Sequence, residues 1–249
     1  MSATSSLLHP LFRFWPDLNS RIRFKFILPK VKFADLEGIK LDVSKLSPLM
    51  KNNILLGRYE VQERQMAQSA LGPDDVVLEL GGAIGFIGLF CKTVIGVKRH
   101  RSVEANPATL EILRRNYLLN GLDPDVVHAA AAAEDGEIKL HIGGEFWENS
   151  VIGEGLPQQT VTVPAFSLQS LVQEMPEPPT ALICDIEGAE IYLDFGQLPP
   201  SVAAIIIELH PHLTGEESAQ SILERLHGLG FRVGEESGGT YLLRRQRDN

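Results

Sequence analysis

The chain has 249 residues, 44% of them hydrophobic, a mean hydropathy of +0.00 and a formal net charge of −9. That length supports one well-buried α/β domain plus an extension, and apolar runs such as residues 203–209 fall well short of the about 18 residues a membrane-spanning helix needs. The acidic balance argues against a nucleic-acid partner for the main domain, and two cysteines in apolar surroundings, Cys91 and Cys184, read as buried reduced thiols of a cytoplasmic protein.

Residues 1–54 read as an N-terminal cap and 55–249 as the main domain. The cap is basic, and Arg21, Arg23, Lys25, Lys30 and Lys32 interleave with Ile22, Phe24, Phe26 and Val31. This period of two predicts a half-exposed strand pair, with a homodimer contact or an anionic substrate as further uses. No signal-peptide pattern is present in the sequence given, since Arg13, Arg21, Arg23 and Lys25 interrupt its apolar stretches. Leu36-Glu37-Gly38-Ile39 reads as a hairpin turn, and residues 58–71 as a helix leading into the turn Gly72-Pro73-Asp74-Asp75.

The segment Val76-Val77-Leu78-Glu79-Leu80-Gly81-Gly82-Ala83-Ile84-Gly85 then carries the most information. An apolar run ends in an acid, passes closely spaced glycines and continues as a helix over residues 84–94, the pattern of a buried parallel strand turning into a helix at a ligand site. Gly81 and Gly82 are expected to let the backbone approach a ligand, and Gly85 to let the helix pack on the strand. The G-x-G-x-x-G dinucleotide spacing is missing, and Glu79 would repel a phosphate at this helix N-terminus, so NAD fits poorly. A cation suits Glu79 better, such as the ammonium or sulfonium of S-adenosylmethionine (SAM).

Downstream, Ser102-Val103-Glu104-Ala105-Asn106-Pro107 falls where the next strand of a βαβ unit, residues 100–104, should end. Glu104 can accept both hydroxyls of a ribose there, Asn106 reads as an N-cap and Pro107 as the first residue of a helix that stops at Asn120-Gly121. Residues 126–132 read as the third strand, and Glu134-Asp135-Gly136-Glu137 as a hairpin turn before residues 138–142. The Gly-rich, aromatic segment 143–159, with Phe146, Trp147, Asn149 and Ser150, is expected to shape a pocket. Then follow a strand at 160–164, a helix at 168–174, buried strands at 181–185 and 203–209, and a capping box, Thr214 with Glu217, opening a helix closed by Gly230. Residues 231–235 and 240–244 flank Glu236-Ser237-Gly238-Gly239 as a final antiparallel hairpin.

With these pieces in order, the chain resembles the FkbM family of SAM-dependent methyltransferases over roughly residues 55–245. Three segments carry the resemblance: residues 76–85, residues 103–107, and Cys184-Asp185-Ile186-Glu187-Gly188-Ala189-Glu190, preceded by Val163-Pro164-Ala165-Phe166-Ser167-Leu168 and followed by Ile207-Glu208-Leu209-His210. The resemblance implies a class I, Rossmann-like α/β sandwich with a mostly parallel seven-stranded sheet, an antiparallel C-terminal hairpin and methyl transfer to a hydroxyl of a small molecule. It places Glu79, Gly81 and Gly85 at the methionine moiety and Glu104 at the ribose, and extends the cofactor set to Gly82, Ala83, Ala105 and Asp185. The family usually has Asp where Glu79 stands and Asn where Ala83 stands.

Asp185, Glu187 and Glu190 follow one buried strand, and Glu208, His210 and His212 another, so both groups should face one crevice. Three readings follow. Asp185, His210 or Glu208 serves as general base for a hydroxyl; or Asp185 and Glu208 hold a divalent cation such as Mg²⁺, the less favoured account; or Glu187 and Glu190 only complement a helix N-terminus. N-methylation, and SAM binding without turnover, stand as alternatives.

Overall fold

The computed structural model describes residues 22–142 and 159–246. Its centre is a seven-stranded sheet of order β11-β12-β10-β9-β3-β4-β5. The strands are β3 (Val76–Leu80), β4 (Arg99–Glu104), β5 (Val126–His128), β9 (Ala181–Cys184), β10 (Ala204–Glu208), β11 (Phe231–Ser237) and β12 (Thr240–Arg245). Pairings β3–β4, β4–β5, β3–β9 and β9–β10 are parallel, and β12 runs antiparallel between β10 and β11. A mixed α/β, Rossmann-like sheet with an antiparallel C-terminal hairpin is therefore the architecture.

The central strands are apolar on both sides because both faces are covered. Val77, Ala181, Ile183, Ala204 and Ile206 join one core, while Leu78, Leu80, Leu182, Cys184, Ile205 and Ile207 join the other. The first face carries α1 (Pro48–Leu55), α2 (Val61–Ala70), α3 (Phe86–Phe90) and α4 (Pro107–Leu119). The second carries α5 (Leu168–Gln173) and α7 (Glu216–Gly228), which follows the short α6 (Pro211–Thr214). Each fully buried leucine of these layers contributes about 2 kcal/mol. Cys91 and Cys184 are buried free thiols, and among the described residues no helix is long and apolar enough to cross a membrane.

The hairpin β1 (Phe33–Leu36) and β2 (Ile39–Asp42) turns at Glu37 and Gly38, both with positive φ, as a two-residue hairpin loop demands. Its Ala34, Leu36, Ile39 and Leu41 enter the same core as α1 to α4. Asn116 on α4, with no exposed surface, fixes the docking: its Oδ1 accepts from Asp42 N at 2.7 Å and its Nδ2 donates to Ile84 O at 2.8 Å. One side chain thus ties the hairpin to the glycine loop.

Several expectations are overturned. The strand pair foreseen over residues 21–32 is instead a π-helical turn, Arg23–Ile27, and a 3-10 turn, Leu28–Lys30. Alternation misled because burial does not follow it: Arg23 is buried while Phe26 is 55% exposed. The third strand breaks at Ala129, so that β6 (Ala130–Ala131) leaves the main sheet for a small one of order β6-β8-β7, with β7 (Gly136–Ile142) and β8 (Gln159–Phe166). Residues 134–137 consequently do not close a hairpin, since β8 lies between the two strands they join. Thr214 is no N-cap; it ends α6, its hydroxyl donates to His210 O, and Gly215 precedes α7. The expected pocket loop, apart from Gln159 in β8, lies outside the described residues, as do residues 1–21.

Replacing Asn116 by alanine should lower unfolding free energy by about 2 kcal/mol or more, because a buried N–H and a buried carbonyl both lose their partner. Urea denaturation followed by circular dichroism measures this; a loss below about 0.5 kcal/mol would show that the bridge does not hold the hairpin.

Candidate active site

The crevice lies where the strand order reverses, between β3 and β9, the position at which open α/β sheets bind ligands. Its base is main chain. A Cβ on Gly81 would overlap the carbonyl oxygen of Asp185, so the neighbouring strand end by itself requires a glycine here, with φ at +88°. Gly85 likewise packs against Leu113 and Tyr117 of α4 rather than the strand, and Gly82 against Leu113 and Ser102.

Above this base is a cavity of about 410 Å³, within the usual size of small-molecule sites. Gly81 and Ala83 of the loop, Val103 to Asn106 at the end of β4, and Asp185 to Glu187 at the end of β9 line it. Leu49, Met50 and Asn53 of α1, Tyr59 and Glu60 before α2, and Ala129 to Ala131 with Leu140 near the small sheet complete the walls. Among the described residues its charged lining is Glu60, Glu104, Asp185 and Glu187, with no Lys or Arg. Three of these residues, Glu60 (φ 50°), Ala83 (φ 42°) and Glu187 (φ 53°), hold a left-handed backbone that side chains disfavour. Such strain gathers at ligand sites.

Of the expected cofactor residues, Gly81, Ala83, Glu104, Ala105 and Asp185 line this cavity, whereas Glu79, Gly82 and Gly85 do not. Glu79 is 2% exposed beneath the loop, where it accepts from Ser102 Oγ at 2.5 Å and lies 3.6 Å from His100 Nε2. Burial pushes its carboxyl up to about 7, against the Ser102 hydrogen bond, and burial pushes the His100 imidazole down to about 3. Glu79 thus lies beneath the loop, where it borders a small adjoining pocket with Gly81, Gly82, Ala83 and Asp185.

Glu104 is 7% exposed and already engaged. Oε1 accepts from Asn106 N and Thr109 Oγ1, both at 2.7 Å, and Oε2 from Ala83 N at 2.7 Å. Two lone pairs per oxygen leave one place, on Oε2, for a ligand hydroxyl instead of the two foreseen. Burial raises the Glu104 pKa, with the three hydrogen bonds pulling the other way.

Beside Asp185 and Glu187, and outside the cavity lining like Glu208, His210 (6% exposed) gathers the acids. Its Nε2 lies 3.3 Å from Glu187, 3.5 Å from Asp185 and 3.9 Å from Glu208, and its Nδ1 is 3.4 Å from Glu190. Burial opposes the imidazolium, but Glu190, Glu187 and Glu208 outweigh it and raise the His210 pKa. Burial, and then the mutual repulsion of Glu208, Glu60 and Glu187, lifts Asp185 well above the usual carboxylate range. Glu187 and Glu208 are each pushed up to about 7, first by burial. Glu60, raised by burial and by Glu63, was not singled out from sequence, where Arg58-Tyr59-Glu60 looks like any helix approach. Glu190 donates nothing to the cavity; its Oε1 accepts from Ile186 N at 3.0 Å. His212 stacks edge-on against His210, with centroids 5.7 Å apart.

No protein-family model and no curated protein matches the chain. Among solved structures, it is similar to TYW2 of M. jannaschii in complex with AdoMet (13% identity, 85% of this chain and 82% of that one, TM-score 0.40). A ribosomal protein L11 methylase from Lactobacillus delbrueckii subsp. bulgaricus gives 13% identity over 76% of this chain and 80% of that one, TM-score 0.46. The methyltransferase FkbM from Methylobacillus flagellatus KT gives 14% over 79% and 52%, TM-score 0.46.

The buried Glu79 yields a pH prediction. Its folded pKa of about 7 exceeds the ordinary 4.5, so the protonated form stabilises the fold fully below pH 4.5 and that contribution is lost as pH rises through 7. Glu79→Gln keeps a neutral partner for Ser102 and removes the titration. Its melting temperature relative to wild type should therefore climb between pH 4.5 and 8, and parallel pH profiles in differential scanning calorimetry would refute the assignment.

Proposed function

We propose that the chain is a SAM-dependent methyltransferase of the FkbM type acting on a small molecule. One observation carries this reading: the glycine loop after β3 and the carboxylate that ends β4 meet at the switch point of the sheet and border a cavity whose charged lining is acidic. Gly81 and Ala83 border the methionine end, Glu104 Oε2 takes a ribose hydroxyl, and Asp185 with Glu60 faces the sulfonium. The acidic lining attracts a cationic donor and repels phosphates, which disfavours dinucleotides and nucleic acid.

Methyl transfer needs the acceptor atom in line with the methyl carbon and sulfur, and a group to take the acceptor's proton. His210 is surrounded by acids that keep it protonated, which weakens it as the base. Glu208, pushed up to about 7, fits that task better, with Asp185, which burial lifts well above the usual carboxylate range, beside it. The acceptor is a hydroxyl in this reading. A second reading is an amine acceptor, favoured by the same observation that the lining, among the described residues, has acids and no Lys or Arg.

Calorimetric titration with SAM tests the cofactor. Saturable binding at one site per chain is expected, weakened about tenfold or more in Glu104→Ala through a lost charged hydrogen bond. Absence of binding to the wild-type protein would end the methyltransferase reading. Once an acceptor is found, Glu208→Gln should lower turnover about a hundredfold, the share a positioned base commonly supplies. Unchanged turnover would remove Glu208 from the mechanism.

A further inference from the structure

Asp185, Glu187 and His210 each present a ligating atom such that all three lie within 4.8 Å of one another. Ligands bound about 2.0–2.3 Å from one cation sit roughly 3–4 Å apart, so a slight contraction closes this set on an ion. The group is more than a collection of acids. His210 is 6% exposed and follows β10; its Nδ1 faces Glu190, and its Nε2 points among the carboxylates of Glu187, Asp185 and Glu208 at 3.3 to 3.9 Å. Asp185 Oδ1 is buried without a hydrogen-bond partner and faces Nε2. Buried polar atoms are ordinarily satisfied, and Asp185 Oδ1, aimed at the Nε2 side of the imidazole together with Glu187, calls for a shared partner there.

We propose that Asp185, Glu187 and His210 bind one divalent transition-metal cation at the rim of the cavity. Two oxygens and an imidazole nitrogen suit Mn²⁺, Fe²⁺ or Zn²⁺ better than Mg²⁺ or Ca²⁺, which prefer oxygen alone. This ligand set differs from the Asp185–Glu208 pair expected from sequence, because Glu208 lies farther from the imidazole, at 3.9 Å, and remains outside the set. Glu190, 3.4 Å from Nδ1, is placed to orient the imidazole from behind, as acids commonly do for a ligating histidine.

The chemistry at this site rests on the methyl-transfer reading, although the site itself does not. Asp185 and Glu187 line the cavity, so an acceptor there can bring its hydroxyl oxygen to the cation. The O–H proton then passes to Glu208, the oxygen takes the methyl group from sulfonium sulfur, and the C–S bond electrons return to sulfur as a neutral thioether. Asp185 is in that case a ligand, and the base is Glu208.

The test uses the full chain stripped with a chelator and titrated with Mn²⁺, free ion being read from its electron paramagnetic resonance signal. One bound Mn²⁺ per chain is expected, displaced by Zn²⁺, with affinity reduced about tenfold or more in Glu187→Gln and in His210→Asn. Glu111→Gln, on the distant surface beside Lys45, should bind Mn²⁺ as wild type does. Circular dichroism identifies a variant that has not folded, and Glu187→Gln, at a partly exposed position, carries the test if His210→Asn is such a case. No Mn²⁺ uptake by the wild-type protein, or equal uptake by folded Glu187→Gln, overturns the proposal. SAM calorimetry on the same sample separates the two ideas: SAM binding without Mn²⁺ binding sinks the metal site alone, and Mn²⁺ binding without SAM binding sinks the cofactor reading alone.

Discussion

The carboxylate of Glu104 accepts three hydrogen bonds from two parts of the chain, the loop after β3 and the start of α4. Ala83 belongs to the loop after β3, Asn106 is the N-cap of α4, and Thr109 lies in the first turn of that helix. A buried acid with so many donors fixes where they stand relative to one another, because breaking any one bond leaves a buried polar group unpaired. The left-handed backbone of Ala83 depends on this hold. So does the position of α4, whose Asn116 in turn anchors the β1–β2 hairpin. The path from hairpin to crevice is therefore a continuous set of polar contacts between packed apolar layers.

The second constraint is electrostatic. Asp185, Glu187, Glu190 and Glu208 come from two strand ends and meet around one imidazole, and Glu60, from the approach to α2, acts on Asp185. Their mutual repulsion, added to burial, is why several of these carboxyls hold protons near neutrality. A core assembled for stability alone would not bring these acids together. The apolar layers on both faces of the sheet tolerate the cost, which is concentrated where the strand order reverses.

Much of this was legible in the sequence for local reasons. Strand, glycine turn and helix follow one another within a dozen residues, and β9 and β10 each lead into an acid after an apolar run. Gly238 and Gly239 mark the last hairpin in the same way. The features that escaped depend on contacts between distant residues. Nothing near Glu60 signals that it faces Asp185, and the insertion of β8 between β6 and β7 is a matter of pairing that the turn at residues 134–137 cannot reveal. The packing that requires Gly81, Gly82 and Gly85 escaped for the same reason, since the crowding atoms belong to Asp185, Ser102, Leu113 and Tyr117. Basic and apolar residues alternating over a few turns of helix look like a strand when the burial of Arg23 is not known.

The contact of Gly81 with the Asp185 main chain divides labour within the molecule. Main-chain atoms make the floor of the crevice, so no side-chain substitution there can widen it without displacing two central strands. The walls come from α1 and the small sheet, both outside the seven-stranded sheet, with Leu49, Met50 and Leu140 facing the cavity. Changes at those three positions alter which guests fit while leaving the floor untouched. Descendants of this chain can accordingly diverge in what they recognise through the walls, while the floor preserves a common ancestry of chemistry.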